Sequence, residues 1–234
     1  MAKRKQIILD FSANTFRNDP AVIDRAVKEV SYVDTGKHEI IFKTQLFKSA
    51  GQNVVCDPRM YDYLHTVCAK RGYGCTASVF DNESLEFLYD YHKKRLAEGK
   101  TGIPFIKIAN NPDLYHLINE IPRGMPIYAS MGYDNFPDTP INLNDKFLRC
   151  ISKYPAKISD YFELMQKVFN DIHLHPKTGY SEYVSISDHT VGLELFETYE
   201  NDLEIWEKHL ILDDSTGLDA GPFAITPKEL AEIL

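Results

Sequence analysis

The chain has 234 residues, 44% of them apolar, and a formal net charge of −8, which fits a single α/β domain over residues 1–234 with one buried core. Its acidic residues are spread along the chain and the cluster Lys3, Arg4 and Lys5 reads as a solvated start, so the concentrated basic face that nucleic acid requires is excluded. Cys56, Cys68, Cys75 and Cys150 fall in no metal-ligand spacing and read as thiols of a reducing compartment; with no signal-like start and no run approaching a membrane span, the expected location is the cytoplasm, with no membrane partner.

Short β-rich runs alternate with helical patterns along the chain, the rhythm of β-α units around a parallel sheet. The first run, 6–11, carries Asp10 and precedes a helix over 20–32 with Val22, Ile23, Ala26, Val27 and Val30 at helical spacing. The second, 38–43, ends on Lys43 with Gln45 just beyond, and helix 58–71 follows with Met60, Leu64, Val67 and Cys68 on one side. The third, 74–78, offers little beyond Cys75, Thr76 and Ala77 before Ser78. Helix 82–96 after it is the strongest, with a basic end that suits the negative helix terminus. A fourth run, 104–109, contains Lys107 and leads through Asn110 into helix 112–121, and the fifth, 126–130, ends on Ser130. Residues 131–144, with Pro137, Pro140 and several Asn and Asp, predict a loop where a barrel carries a full helix. The sixth run, 146–152, ends on Ser152 before Tyr154 and Pro155, and helix 159–170 follows. The seventh, 182–187, ends on Ser187, the next helix is short at 193–200, the eighth run is 203–209, and a helix over 226–234 ends the pattern. Eight such units predict a (β/α)8 TIM barrel, trimmed at its fifth and seventh helices.

His189 and His209 stand twenty residues apart, each at the end of an apolar run. On strands of one parallel sheet their imidazoles converge on one rim and can share a divalent metal. Lys43 and Lys107 also end apolar runs, where snorkelling alone is a poor reason for a lysine. Ser78, Ser130 and Ser187 either turn the chain or bind an anion, and Tyr154 either packs at a turn or lines a pocket. Asp213 and Asp214 read as loop caps, and His173 with His175 as solvated loop.

The stretches Ser187-Asp188-His189-Thr190 with Gly192, and Glu207-Lys208-His209 followed by Leu212-Asp213, Gly217-Leu218-Asp219 and Pro227-Lys228-Glu229-Leu230, form a distinctive pattern. Phe42-Lys43-Thr44-Gln45, Ser78-Val79-Phe80-Asp81, Lys107-Ile108-Ala109, Ala129-Ser130-Met131-Gly132 and Cys150-Ile151-Ser152-Lys153-Tyr154-Pro155 keep the same order upstream. With these motifs the chain resembles the N-acetylneuraminate (sialic acid) synthase family. The resemblance implies a barrel that condenses phosphoenolpyruvate with an N-acetylated aminosugar or related sugar aldehyde, giving a nonulosonic acid and phosphate. It places His189 and His209 on the ligands of Mn²⁺ or Mg²⁺, and Lys43 and Lys107 on the lysines that hold phosphoenolpyruvate. Ser130 and Ser187 match serines at the phosphate, Ser78 adds a donor, and Gln45, Tyr154 and Asp219 match the sugar pocket.

Several positions depart from the family pattern. Asp10 stands for a usual Glu, Ser78 for Thr, Asn110 for Ser and Ser152 for Asn, the acidic residue expected after Lys107 is Pro112 unless Asp113 replaces it, and Ala13-Asn14-Thr15-Phe16 stands where Asn-His-Asn-Gly is usual. Family members continue into a small antifreeze-like domain that reaches over a partner's site, whereas this sequence stops in the last barrel helix. The expected partners are therefore a second copy in a homodimer or a separate lid-supplying protein. Two alternatives accompany this reading: a non-catalytic homologue that binds phosphoenolpyruvate or sugar, and the same chemistry on another aldehyde acceptor.

Overall fold

Strands and helices alternate through a computed structural model that describes residues 4–47, 51–132, 145–174 and 184–234. The strands are β1 (Gln6–Asp10), β2 (Glu39–Leu46), β3 (Gly74–Val79), β4 (Ile106–Ile108), β5 (Ile127–Met131), β6 (Lys146–Cys150), β7 (Val184–Asp188) and β8 (Leu203–Leu210). Each pairs in parallel with the next, and β8 pairs back onto β1 with His209 beside Asp10, so the sheet closes into the (β/α)8 barrel that the alternating pattern predicts. A two-residue strand absent from the prediction, β9 (Ala224–Ile225), adds to the end of β8.

The helices are α1 (Ala13–Phe16), α2 (Pro20–Val33), α3 (Pro58–Lys70), α4 (Asn82–Ala97), α5 (Leu117–Glu120), α6 (Ile158–Leu174), α7 (Glu194–Tyr199) and α8 (Pro227–Leu230). Their starts are written in the sequence. Asp19 and Asp57 accept main-chain N–H bonds ahead of Pro20 and Pro58, and Asp81 with Ser84 and Thr226 with Glu229 close capping boxes. Ile23, Ala26, Val27 and Val30 of α2 are buried, as are Leu64 and Cys68 of α3 and Leu85 and Leu88 of α4. No helix among the described residues is long and apolar enough to cross a membrane, and all four cysteines are free and buried.

Some boundaries differ from the sequence pattern. β2 runs on to Leu46 because Thr44, Gln45 and Leu46 pair with Ala77, Ser78 and Val79. β6 stops at Cys150, whose carbonyl is taken by the Asn110 amide, so Ser152 lies beyond the strand. The helix expected over 112–121 is a 3₁₀ turn, Pro112–Leu114, followed by α5, with main-chain bonds such as Tyr115 N to Pro112 O and Asn119 N to His116 O tightening it to three residues per turn. The helix expected over 226–234 is helical only through α8 and continues as three-residue turns. α7 is short, as predicted, whereas most of the loop predicted over 131–144 lies outside the described residues and Met131 belongs to β5. His173 falls within α6, and His175 lies outside the described residues. Asp214, expected to cap a loop, instead pairs with Arg25 of α2 at 3.0 Å. Lys5, expected on a solvated start, is buried: its N–H and C=O bond to His38 and to the Glu39 N–H at the foot of the sheet, and desolvation lowers its ammonium pKa.

Side chains alternate across the barrel wall. Ile7, Leu9, Phe42 and Trp206 face outward into the main core shared with the helices. Inside, Ile8, Ile41, Phe105, Tyr128, Leu148 and Ile205 form a separate apolar plug, in which the Phe105 and Tyr128 rings stack with centroids 3.8 Å apart. The plug seals the lower half of the barrel, and polar side chains two and four residues further along the strands are left facing the open C-terminal end.

Candidate active site

The next inward layer above the plug is charged, because Asp10, Lys43, Lys107 and Glu207 each stand two residues beyond a plug residue on their strands. Lys43 Nζ lies 2.7 Å from Asp10 Oδ2 and 3.4 Å from Glu207 Oε1, and Lys107 Nζ also lies 3.4 Å from Glu207 Oε1. Lys107 Nζ and the Ser130 hydroxyl are 2.6 Å apart, and the Ser187 hydroxyl donates to Glu207 Oε1 at 2.8 Å. Two ammonium groups and two carboxylates thus share one floor, all of them buried.

Their protonation follows from the geometry. Burial strongly opposes the charge on Glu207, yet Lys107, Lys43 and the Ser187 hydroxyl together hold its carboxyl down to about 2. Lys43 faces the same desolvation but has two carboxylates beside it, so its pKa is raised. For Lys107 desolvation prevails: Glu207 is its one ion-pair partner among the described residues and Lys43 repels it, so its pKa is lowered. The carboxylates of the floor offset part of the cost of burying two ammonium groups.

Above it stand the two histidines, with ring centroids 5.5 Å apart. His189 Nδ1 is 2.8 Å from the Ile151 carbonyl oxygen, which makes that nitrogen the donor and leaves Nε2 with the lone pair. Burial and the neighbouring His209 push its pKa down to about 3, so the ring is neutral. His209 Nε2 lies 3.7 Å from Asp10 Oδ2 and its Nδ1 3.7 Å from Asp219 Oδ1. Asp219 is tied down by the Ser12 hydroxyl and by Asn14 Nδ2. Tyr154 covers the pair, its ring 4.2 Å from that of His189 and 6.0 Å from that of His209.

Three buried polar atoms here lack a hydrogen-bond partner: Asp10 Oδ1, Glu207 Oε2 and His209 Nδ1. Unsatisfied groups of this kind are costly unless a ligand completes them, so they fit a cation or substrate seated between the floor and the histidines. Among the described residues no group of three or more His, Cys, Asp or Glu side chains is arranged to hold a metal ion. The donor set accordingly suits a hard cation that takes two imidazoles and completes its shell with water and substrate oxygens, and does not suit structural zinc.

Asp10, Lys43, Gln45, Ser78, Lys107, Asn110, Ser130, Ser152, Tyr154, Ser187, His189, His209 and Asp219 all line one cavity of about 190 Å³ at the C-terminal mouth of the barrel. Gln45 donates to Asp10 Oδ2 at 2.8 Å. Asn110 and Ser152 bond to each other at 3.0 Å, and Asn110 Oδ1 also accepts from Tyr115 and from Gly132 N–H, so this amide braces the ends of β4, β5 and β6. Asp113 is exposed on the 3₁₀ turn and is not among the lining residues.

The model of the NeuB family matches residues 15–234. The chain belongs to the NeuB family. The N-acetylneuraminate-9-phosphate synthase of Mus musculus is 26% identical over 193 residues, which cover 74% of this chain and 47% of that protein, so the chain spans about half the length of this curated relative. Among solved structures, the N-acetylneuraminic acid synthetase of Leptospira borgpetersenii, in complex with citrate, superposes with a TM-score of 0.69 at 20% identity, over 99% of this chain and 81% of that one. A spore coat polysaccharide biosynthesis protein of Bacillus subtilis gives 0.72 at 15% identity, over 99% and 67%. At these identities both structures speak to the fold alone.

The NeuB barrel also places in the cavity residues that the sequence reading left without a role: Glu207, Cys150, Phe47, Phe80 and Ala109. Glu207 was within reach of the sequence, since a residue two before His209 on a strand faces the same way. The intervening Asp188 and Lys208 face outward, where Lys208 Nζ lies 3.0 Å from Asp188 Oδ2 and donates to Thr190 O at 2.7 Å, while Asp188 also accepts from Trp206 Nε1 and Thr190 N. This fully buried pair ties together the two strand ends that carry the histidines.

Proposed function

We propose that the chain is a metal-dependent transferase that condenses phosphoenolpyruvate with an N-acetylated aminosugar or related sugar aldehyde, giving a nonulosonic acid with release of phosphate. The observation that carries this reading is the buried pairing of Lys43 and Lys107 around Glu207 beneath the paired rings of His189 and His209, all lining one cavity. Family membership supplies the reaction class.

Lys43 and Lys107 take the carboxylate and phosphate of phosphoenolpyruvate, with Ser78, Ser130 and Ser187 as further donors, and Asp10 and Glu207 offset part of the cost of burying the ammonium groups until the substrate arrives. His189 and His209 would hold Mn²⁺ or Mg²⁺, which supplies Lewis acidity toward the aldehyde oxygen of the acceptor. Gln45, Tyr154 and Asp219 orient the acceptor so that its aldehyde carbon faces C3 of phosphoenolpyruvate. The C3–carbon bond forms as the enol π electrons leave C2, and the aldehyde oxygen takes up a proton. Water adds to C2 and loses a proton to Asp10, a role that its unpartnered Oδ1 supports, and the C2–O bond to phosphate then breaks as the new C2 hydroxyl gives up its proton, releasing phosphate and leaving a 2-keto acid.

Purified protein supplied with Mn²⁺, phosphoenolpyruvate and a panel of N-acetylated hexosamines is expected to release phosphate only when a sugar is present. Absence of release with every sugar, in a preparation shown by calorimetry to bind both metal and phosphoenolpyruvate, leaves the binding homologue as the correct reading.

A further inference from the structure

The cavity has a second, apolar storey. Gln45 pairs with Ser78 and Leu46 with Val79, so continuing the same register puts Phe47 beside Phe80, with the parity that turns Lys43, Gln45, Thr76 and Ser78 inward. Their rings stack with centroids 4.2 Å apart and planes inclined by 26°, and both line the cavity. Phe80 is anchored against the main core, while Phe47 rests on it at the mouth. At about 3.3 Å per residue, the stack lies roughly 7 Å above the Gln45 and Ser78 layer. An acceptor whose reactive carbon sits at the Gln45 and Ser78 layer, above phosphoenolpyruvate on the floor, extends upward by about that length.

The geometry points to Phe47 and Phe80 as a specificity-determining wall that takes an uncharged, hydrocarbon-rich portion of the acceptor and disfavours an acceptor phosphorylated at its far end. This rests on the condensation proposed above. An aromatic face carries the negative end of the ring quadrupole and offers no donor, so it gains by covering C–H surface and loses by desolvating a phosphate. The floor adds to this, because the two cavity lysines are already matched by Asp10 and Glu207 and the phosphoenolpyruvate anion occupies them. The hydrocarbon portion is either an N-acyl group or an unsubstituted C–H face of the sugar chain; both present the same chemistry to the rings.

Steady-state kinetics on wild type, F47A, F80A and the conservative F47Y separate these cases, with acceptors that vary in acyl length, in deoxygenation, and in the presence of a terminal phosphate. Expected are a rise in acceptor KM of about tenfold in F47A and F80A, a phosphoenolpyruvate KM within about twofold of wild type, recovery in F47Y, and wild-type kcat/KM lower by about tenfold or more for the phosphorylated acceptor. Loss of acyl-length dependence in F47A identifies the acyl group, and loss of the deoxygenation effect identifies the C–H face. Should F80A fail to fold, half-buried Phe47 at the mouth still carries the test. Unchanged acceptor KM in the alanine variants, or preference for the phosphorylated acceptor, overturns the inference while leaving the condensation standing; no turnover by wild type with any acceptor overturns both.

Discussion

Glu207 is the residue on which the floor turns, since one carboxylate oxygen meets both ammonium groups and the Ser187 hydroxyl. Glu207→Gln removes the countercharge that competes with an incoming anion but disorders the lysine pair. Calorimetry is expected to show phosphoenolpyruvate bound at least as tightly, while kcat falls about a hundredfold; weaker binding with unchanged kcat would contradict this assignment. His38 and His65 report at the same scale on stability. Both are buried and pushed down to about 4, first by desolvation and then by Lys37 and Lys5 for His38 and by Arg95 for His65. The unfolded chain protonates these rings near their ordinary value of about 6.5 whereas the folded one refuses the proton until about 4, so between those pH values the unfolded state binds more protons and stability falls as pH drops. Urea unfolding at pH 7 and pH 4.5 should show a loss of about 1–3 kcal/mol per histidine, and His65→Gln should flatten the difference. An identical pH dependence in that variant would place the effect elsewhere.

At the scale of elements, the loss should be larger behind the site than within the loops around it. Asp188→Asn leaves Lys208 charged with no carboxylate in a fully buried position, and chemical denaturation is expected to show about 3–5 kcal/mol of destabilisation. The double variant Asp188→Asn with Lys208→Met should recover part of it, whereas additive losses would mean that the two side chains do not act as a pair. Here the limits of sequence reading are plain. The eight barrel strands, the N-caps of α2, α3 and α4 and the cavity positions of Lys43, Lys107, His189 and His209 follow from period, capping chemistry and motif. The mutual bond of Asn110 with Ser152 does not, because it joins side chains 42 residues apart across the ends of β4 and β6. Phe47 escaped for a related reason: the apolar run in the sequence stops at Lys43, yet cross-strand pairing carries β2 to Leu46 and extends the inward parity to the next residue.

For the whole molecule, barrel closure converts scattered strand ends into one site. The β1–β8 pairing sets Asp10 beside His209, and the apolar plug beneath leaves Asp10, Lys43, Lys107 and Glu207 facing the C-terminal end. The pattern of alternating units was enough to predict that closure; it was not enough to show that the sealed lower half leaves Lys43, Lys107 and Glu207 in mutual contact, which depends on the inward packing of Phe105 and Tyr128. The most direct test of the proposed function is the carbon–carbon bond itself. Phosphoenolpyruvate labelled with ¹³C at C3 is incubated with Mn²⁺, the wild-type protein and an N-acetylated hexosamine, and the mixture is followed by ¹³C NMR. Condensation predicts that the vinyl signal is replaced by a methylene signal coupled to the former aldehyde carbon, in step with phosphate release, and that Lys107→Met abolishes it. Phosphate release accompanied only by the methyl signal of free pyruvate would contradict it.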